Sequence, residues 1–402
     1  MSKRLTVAIA IVFVLLTVFI FSVVITERIN TQQLKEGHYY GGPQDVRKNI
    51  PGSEWEEIIG NKAEDEQENE LDNSFLDDQE SAHGNPIENA LQNKPEANYI
   101  IPPTDAKAYS YQESKVRFWI VRFAWSFLVP AFFIFSGYAA DLMKWLERRF
   151  KRYVLVVIMF FILYSLIEFI IYLPLNYLGG YARAHEYGLS NQGFTSWLIN
   201  LAKSFVVDTI GGAIIIWIPF LLIKKYPRRW WLYTGMLTIP VLIIATYISP
   251  IFIEPMFNKY TKINDTELEQ KIQELVSKTT IGECQVFQVD KSTETKEMNA
   301  YMTGIFNTKR IVLWDTTIAQ MEHKEVLSVV AHEMGHYLMG HIWKSIVLGG
   351  LLSILGLYFV NKIALWVLKG SNGTFGFQKL WNPAALPLLI IVINLVMFVL
   401  NP

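Results

Sequence analysis

At 402 residues, 51% of them hydrophobic, and with a mean hydropathy of +0.23, the chain is too apolar for an ordinary soluble enzyme of its size. A formal net charge of −1, with no basic stripe and no RNA-binding motif, argues against nucleic acid as a partner. The lone Cys284 excludes an internal disulfide.

Seven stretches are long and apolar enough, or nearly so, to cross about 30 Å of hydrocarbon. They run approximately over residues 5–25, 118–140, 153–178, 205–223, 230–252, 345–368 and 384–400. The first follows Lys3 and Arg4, exceeds a signal-peptide core in length, and is followed by Glu27-Arg28 without a small-residue cleavage site. A retained span over residues 1–26 is expected. Residues 27–112 then form an acidic loop, crowded with carboxylates between Glu54 and Glu80 and opposed there only by Lys62. Such a run repels itself and buries little apolar surface, which predicts a solvated, disordered segment.

Four further spans fill residues 113–252. Arg122 and Glu168 fall inside them, while Asp208 and Lys362 fall near the ends of other spans. A charge facing lipid costs roughly 2.5–3.5 kcal/mol on insertion scales, so Arg122 and Glu168 are expected to face an enclosed interior. Lys144, Arg148, Arg149, Lys151 and Arg152, then Lys224, Lys225, Arg228 and Arg229, mark two loops as cytoplasmic, together with Lys3 and Arg4. Counting onward puts residues 253–341 on the opposite face.

Residues 253–341 are the second polar segment. Asn264 or Asp265 caps a predicted amphipathic helix running through Ile272, Leu275 and Val276 and stopped by Gly282. Val286 to Val289 reads as a strand. Ala300–Phe306 and Arg310–Trp314 read as a hairpin turning at Asn307. A long helix from Glu322 to His341 is predicted next, with Leu327, Val330, Ala331 and Met334 as its apolar face.

That helix carries His332-Glu333-Met334-Gly335-His336, an H-E-x-x-H motif. Residues four apart share a helix face, so His332 and His336 aim two imidazoles at one zinc ion. Glu333 projects beside them as general base for a zinc-activated water. With 7 histidines in the chain, chance occurrence is on the order of a hundredth, which decides against coincidence. The metzincin extension is missing: Met339 and Ile342 stand where Gly and His are required, and His341 falls one short.

The zinc motif, Phe252-Ile253-Glu254-Pro255-Met256-Phe257-Asn258-Lys259, Asn299-Ala300-Tyr301, Arg310 to Thr316 and Glu186 to Gln192 together resemble the CAAX prenyl protease 1 family over residues 110–402. The resemblance implies an all-α polytopic membrane protein, a helical cage around a water-filled chamber, with a small α+β zinc-protease segment between the fifth and sixth spans. It implies His332 and His336 as ligands of one Zn2+, Glu333 as general acid/base and His341 in a second-shell or transition-state role. It also implies Asn299, Ala300 and Tyr301 as the edge strand against which substrate backbone pairs; for Asn299, turn chemistry is an equal reading. The family's third ligand is a Glu in an E-x-x-x-D segment after the last span. Residues 342–402 hold the last two spans and end at Asn401-Pro402, so a bacterial-type member truncated at its C-terminus is expected. Eukaryotic members place the catalytic segment in the cytosol, opposite to the charge count above.

The function expected is a multi-pass cell-membrane zinc endopeptidase acting on membrane-associated or CAAX-like peptides in the bilayer. Three alternatives stand beside it. An HtpX-type quality-control protease has fewer spans before its motif. A site-2-type protease buries its motif within a span, whereas Glu322, His323, Lys324 and Glu325 precede this one. A pseudoprotease scaffold follows if the third ligand is truly absent. Oligomeric state is not legible.

Overall fold

The computed structural model describes residues 106–400. The expected first span and the acidic run between Glu54 and Glu80 lie outside the described residues. Among the described residues, six helices are long and apolar enough to cross a membrane, one for each remaining expected span.

Helix α1 (Ala106–Phe135) starts well before residue 118 and does not reach 140. Gly137, at φ 83°, breaks it. The chain restarts as α2 (Tyr138–Arg149), which buries Ala139, Ala140, Met143 and Leu146 and carries Lys144, Arg148 and Arg149. Helix α3 (Tyr153–Asn176) continues through π-helical turns at Tyr177–Ala182 and a last turn at Arg183–Glu186. Helices α4 (Phe194–Ile215) and α5 (Trp217–Lys225) form one apolar run that begins earlier than residue 205. Helix α6 (Trp230–Ile248) ends in a π-helical turn, Ser249–Ile253, and a 3-10 turn, Glu254–Met256.

The polar segment then builds a four-stranded sheet. Strands β1 (Tyr260–Lys262), β2 (Gln285–Val289), β3 (Ala300–Thr303) and β4 (Arg310–Trp314) lie in the order β1-β2-β4-β3. β2 and β4 are parallel; both outer pairs are antiparallel. Helix α7 (Thr266–Ser277) is capped by Asp265, whose carboxylate accepts from Leu268 N at 2.9 Å. That bond and the one with His323 hold the Asp265 carboxyl below its usual range. α7 ends at Ser277, not at Gly282; Gly282, at φ 75°, instead makes the turn toward β2.

A short α8 (Asp315–Gln320) precedes α9 (His323–Leu338), which opens on a capping box between Glu322 and Glu325. Its buried residues are Val326, Val330 and Met334, one side of the helix at four-residue spacing. They close a core with Leu268, Ile272 and Val276 of α7 and Val286, Ile311 and Leu313 of the sheet. Each fully buried aliphatic side chain contributes about 1.5–3 kcal/mol, enough for this core to fix how α9 lies on the sheet. Of the expected apolar face, Val330 and Met334 are buried and Leu327 packs against the core, whereas Ala331 is exposed and Val326 extends the face one turn earlier.

Helices α10 (His341–Gly370) and α11 (Leu386–Leu400) are the last two spans. α10 packs against α6 where glycine permits close approach. A Cβ at Gly235 would strike Ile354, and one at Gly350 would strike Ile239. Trp230 Nε1 donates to buried Asn361 Oδ1 at 2.7 Å across the same pair. Asn394 Nδ2 of α11 donates to Ser126 O of α1 at 3.1 Å.

Candidate metal centre

The helix bearing the motif ends sooner than its periodicity suggests. α9 stops at Leu338, and Gly340 at φ 68° turns the chain before α10 begins at His341. His341 therefore belongs to the following membrane helix and not to the motif's own. The turn nevertheless returns it to the site.

Because Val326, Val330 and Met334 face the core, His332 and His336 are left on the exposed side of α9, with Glu333 half-buried between the two faces. The imidazoles converge: His332 Nε2 and His336 Nε2 lie 3.0 Å apart, their rings nearly perpendicular. A tetrahedral zinc, with Zn–N bonds of about 2.0–2.1 Å, holds two nitrogens about 3.3 Å apart, so the pair sits a few tenths of an ångström closer than two corners of such a site and would open by a small rotation of either ring to take the ion. The other nitrogen of His336, Nδ1, lies 2.7 Å from His341 Nδ1. Among the described residues no third His, Cys, Asp or Glu completes a metal-binding group.

Asn299, Ala300 and Tyr301 lie at the start of β3, an outer strand of the sheet. Trp314 N donates to Asn299 O at 3.1 Å, so Asn299 and Tyr301 turn their backbone groups toward β4 and Ala300 turns its own outward. The outward Ala300 N–H donates to the Asn299 side chain, Oδ1, at 2.8 Å. Asn299 thus both continues the strand and caps its neighbour. Tyr301 directs its hydroxyl to the other end of the segment, 3.3 Å from Glu254 Oε2 and 3.0 Å from the Tyr260 hydroxyl, which itself donates to Glu254 at 3.3 Å. Burial, then the Tyr260 bond and the Glu254 charge, push the Tyr301 phenol well above its usual range. Glu254 and Tyr260 were not singled out from the sequence. Glu254 stands within the Phe252–Lys259 run that carries the family resemblance, but nothing in that run points to its meeting with Tyr260 and Tyr301.

A multi-pass membrane metallopeptidase is the class this fold and this histidine pair define. Residues 262–402 match the model for peptidase family M48, and residues 92–259 match the model for the CAAX prenyl protease N-terminal domain of five membrane helices. The chain is similar to the uncharacterized metalloprotease YhfN of Bacillus subtilis, 31% identical over 76% of this chain and 72% of that protein. It is 31% identical to CAAX prenyl protease 1 of Saccharomyces cerevisiae over 54% of this chain, but spans only 47% of that relative's length. The crystal structure of S. mikatae Ste24p is similar in fold, with a TM-score of 0.56 at 26% identity, covering 63% of this chain and 61% of that one. The chain belongs to the CAAX prenyl protease group of peptidase family M48.

Proposed function

We propose that the protein is a membrane-embedded zinc endopeptidase that cleaves extended peptides, CAAX-like or derived from membrane proteins, beside β3. The observation that carries this reading is the convergence of His332 Nε2 and His336 Nε2 on one point. These two imidazoles would hold zinc, which when bound supplies Lewis acidity toward a peptide carbonyl and toward water. For His336 Nε2 to offer its lone pair, the ring proton sits on Nδ1 and is donated to His341 Nδ1. His341 then carries its own proton on Nε2. This makes it the residue that fixes the His336 tautomer, a role that supports a ligand without touching the metal.

Glu333 takes the proton from the attacking water and returns it to the leaving amide nitrogen. The substrate backbone pairs with the outward groups of β3, which ties the scissile carbonyl down by bonds that ignore side-chain identity. Broad sequence tolerance follows, with selectivity set by access. Treating the full-length protein with a strong zinc chelator is expected to remove cleavage of a fluorogenic peptide, and adding zinc back is expected to restore it. Cleavage that persists in metal-free protein would overturn the reading.

Access through a wet interior is consistent with Arg122, exposed on α1, whose guanidinium reaches Asn176 Oδ1 at 3.4 Å. Glu168 lies two turns earlier on α3. Single cysteines at positions 122 and 168 are expected to react with a membrane-impermeant thiol reagent in the folded protein; full protection of both would place them against lipid or packed protein. Lys362 and Asp208 are also exposed, and Lys362 Nζ sits 5.5 Å from the centre of the Tyr358 ring.

A further inference from the structure

Three connections far apart in sequence meet at one end of the helical bundle. They are residues 136–152, 224–229 and 369–382, and together they hold eleven Lys and Arg against two carboxylates, Asp141 and Glu147. α6 leaves this end at Trp230 and reaches the protease segment at its other end, where Glu254 meets Tyr301; α10 starts at His341 and comes back to it at Gly370. The basic end therefore lies across the bundle from the histidine pair. Among the described residues only Lys144 of these eleven has a carboxylate partner, Asp141 at 3.3 Å. A cytoplasmic bias in loop charge accounts for such a surplus in general. It does not account for the order found in part of it.

Two of the cations are seated on aromatic rings. Lys224, at the end of α5, lays its Nζ 4.3 Å from the centre of the Tyr153 ring and 5.3 Å from that of Trp381. Lys379 Nζ lies 5.7 Å from the same Trp381 ring. The rings are themselves fixed, since the Tyr153 hydroxyl donates to Trp381 O at 2.6 Å. So is the connection that carries Lys379: Phe375, Phe377 and Leu380 are buried, and an added Cβ at Gly376 would strike Ala140 of α2. A ring contact engages one flank of an ammonium and leaves it donors to spare. Both lysines are exposed, and among the described residues neither donates a hydrogen bond. Each presents a positioned charge with its N–H groups open.

We propose that Lys224 and Lys379, set against Trp381, bind the phosphate of an anionic phospholipid headgroup. The surroundings point to a lipid and not to a soluble phosphate. The apolar run of α4 and α5 ends here, so Lys224 sits where a span meets the bilayer surface. Beside it α2 buries its apolar side in the bundle and turns Lys144, Trp145 and Arg149 outward, the pattern of a helix lying in the interface. Exposed Trp145 and Tyr226 carry Arg149 and Lys225 at 5.7 and 5.4 Å from their ring centres, and such rings rest at headgroup depth. A phosphate held by both lysines joins the end of α5 to the connection between α10 and α11. A lipid that binds only this folded arrangement stabilises it.

The test uses the full-length protein in detergent doped with equal amounts of phosphatidylcholine and phosphatidylglycerol, with each lipid bound per protein counted by mass spectrometry. Phosphatidylglycerol should be enriched by about threefold or more, and the thermal midpoint should be higher with it than with phosphatidylcholine alone. Lys224→Gln combined with Lys379→Gln is expected to bring the two lipids close to parity. Arg228→Gln combined with Arg229→Gln removes the same charge away from Trp381 and should leave most of the enrichment. Lys224→Arg combined with Lys379→Arg should keep it, which separates a lost charge from a disturbed fold. Equal losses in the two Gln pairs would reduce the site to a diffuse charged surface and overturn it. Inorganic phosphate that raises the midpoint in phosphatidylcholine as far as phosphatidylglycerol does would overturn the lipid as ligand. An unsubstituted protein that takes both lipids equally would overturn the proposal outright.

Discussion

Glu333→Ala in the full-length protein is expected to retain zinc and lose peptide cleavage. The Nε2 atoms of His332 and His336, the proposed ligands, lie 3.0 Å apart from positions four apart on α9, and neither is held in place by the Glu333 side chain. The core face of that helix, Val326, Val330 and Met334, is likewise untouched. What is lost is the carboxylate proposed to take a proton from the attacking water, a contribution worth roughly 10²–10⁴ in rate. Metal analysis of the purified variant beside a fluorogenic peptide assay separates the two effects. Retained cleavage would remove Glu333 from the chemistry, and lost zinc would show it to be a ligand instead of a base.

Ala300→Pro carries the second largest effect. Proline deletes the outward N–H, and its ring fills the space a pairing strand must enter. The fold itself is expected to survive. Ala300 N makes no bond to β4, its partner being the Asn299 side chain, and proline is tolerated on an outer strand where the N–H faces away from the sheet. One backbone bond to substrate is worth about 1–1.5 kcal/mol, so a fall in kcat/KM of about tenfold is the minimum, with steric exclusion adding to it. Zinc content and thermal midpoint should stay near those of the unsubstituted protein. Unchanged cleavage by a well-folded Ala300→Pro protein would mean that substrate docks away from β3.

The elements most legible in the sequence are those whose signal is local. The H-E-x-x-H spacing needs only helical geometry, the Asp265 cap only one side chain and one turn, and each span only its own hydropathy. The hairpin of β3 and β4 was readable from its alternation, although its turn contains a 3-10 segment, Phe306–Thr308, with Phe306 in the left-handed region at φ 55°. Features made by distant residues were not readable. Strand β1 is three residues long, and the parallel pairing of β2 with β4 skips an intervening strand. The break at Gly340 was hidden because apolar and helix-favouring residues lie on both sides of it. The joining of Glu254 to Tyr301 spans 47 positions and leaves no periodic trace.

The same break decides how the motif's helix is joined to the membrane span that follows it. His336 ends its helix and His341 begins another, so their 2.7 Å contact crosses a corner with Gly340 at its apex. An added Cβ at Gly340 would meet no atom within 4 Å, so it is the left-handed φ of 68° and not a close approach that calls for glycine here. The two rings brace the corner on one side, and the close seat of α10 on α6 holds it on the other. A thirty-residue membrane helix therefore leaves the protease segment from the very residue that touches His336. With only Met339 and Gly340 between the two helices, the motif is anchored to a bilayer-spanning element without a linker, so a displacement of either helix is met by the other within one residue contact.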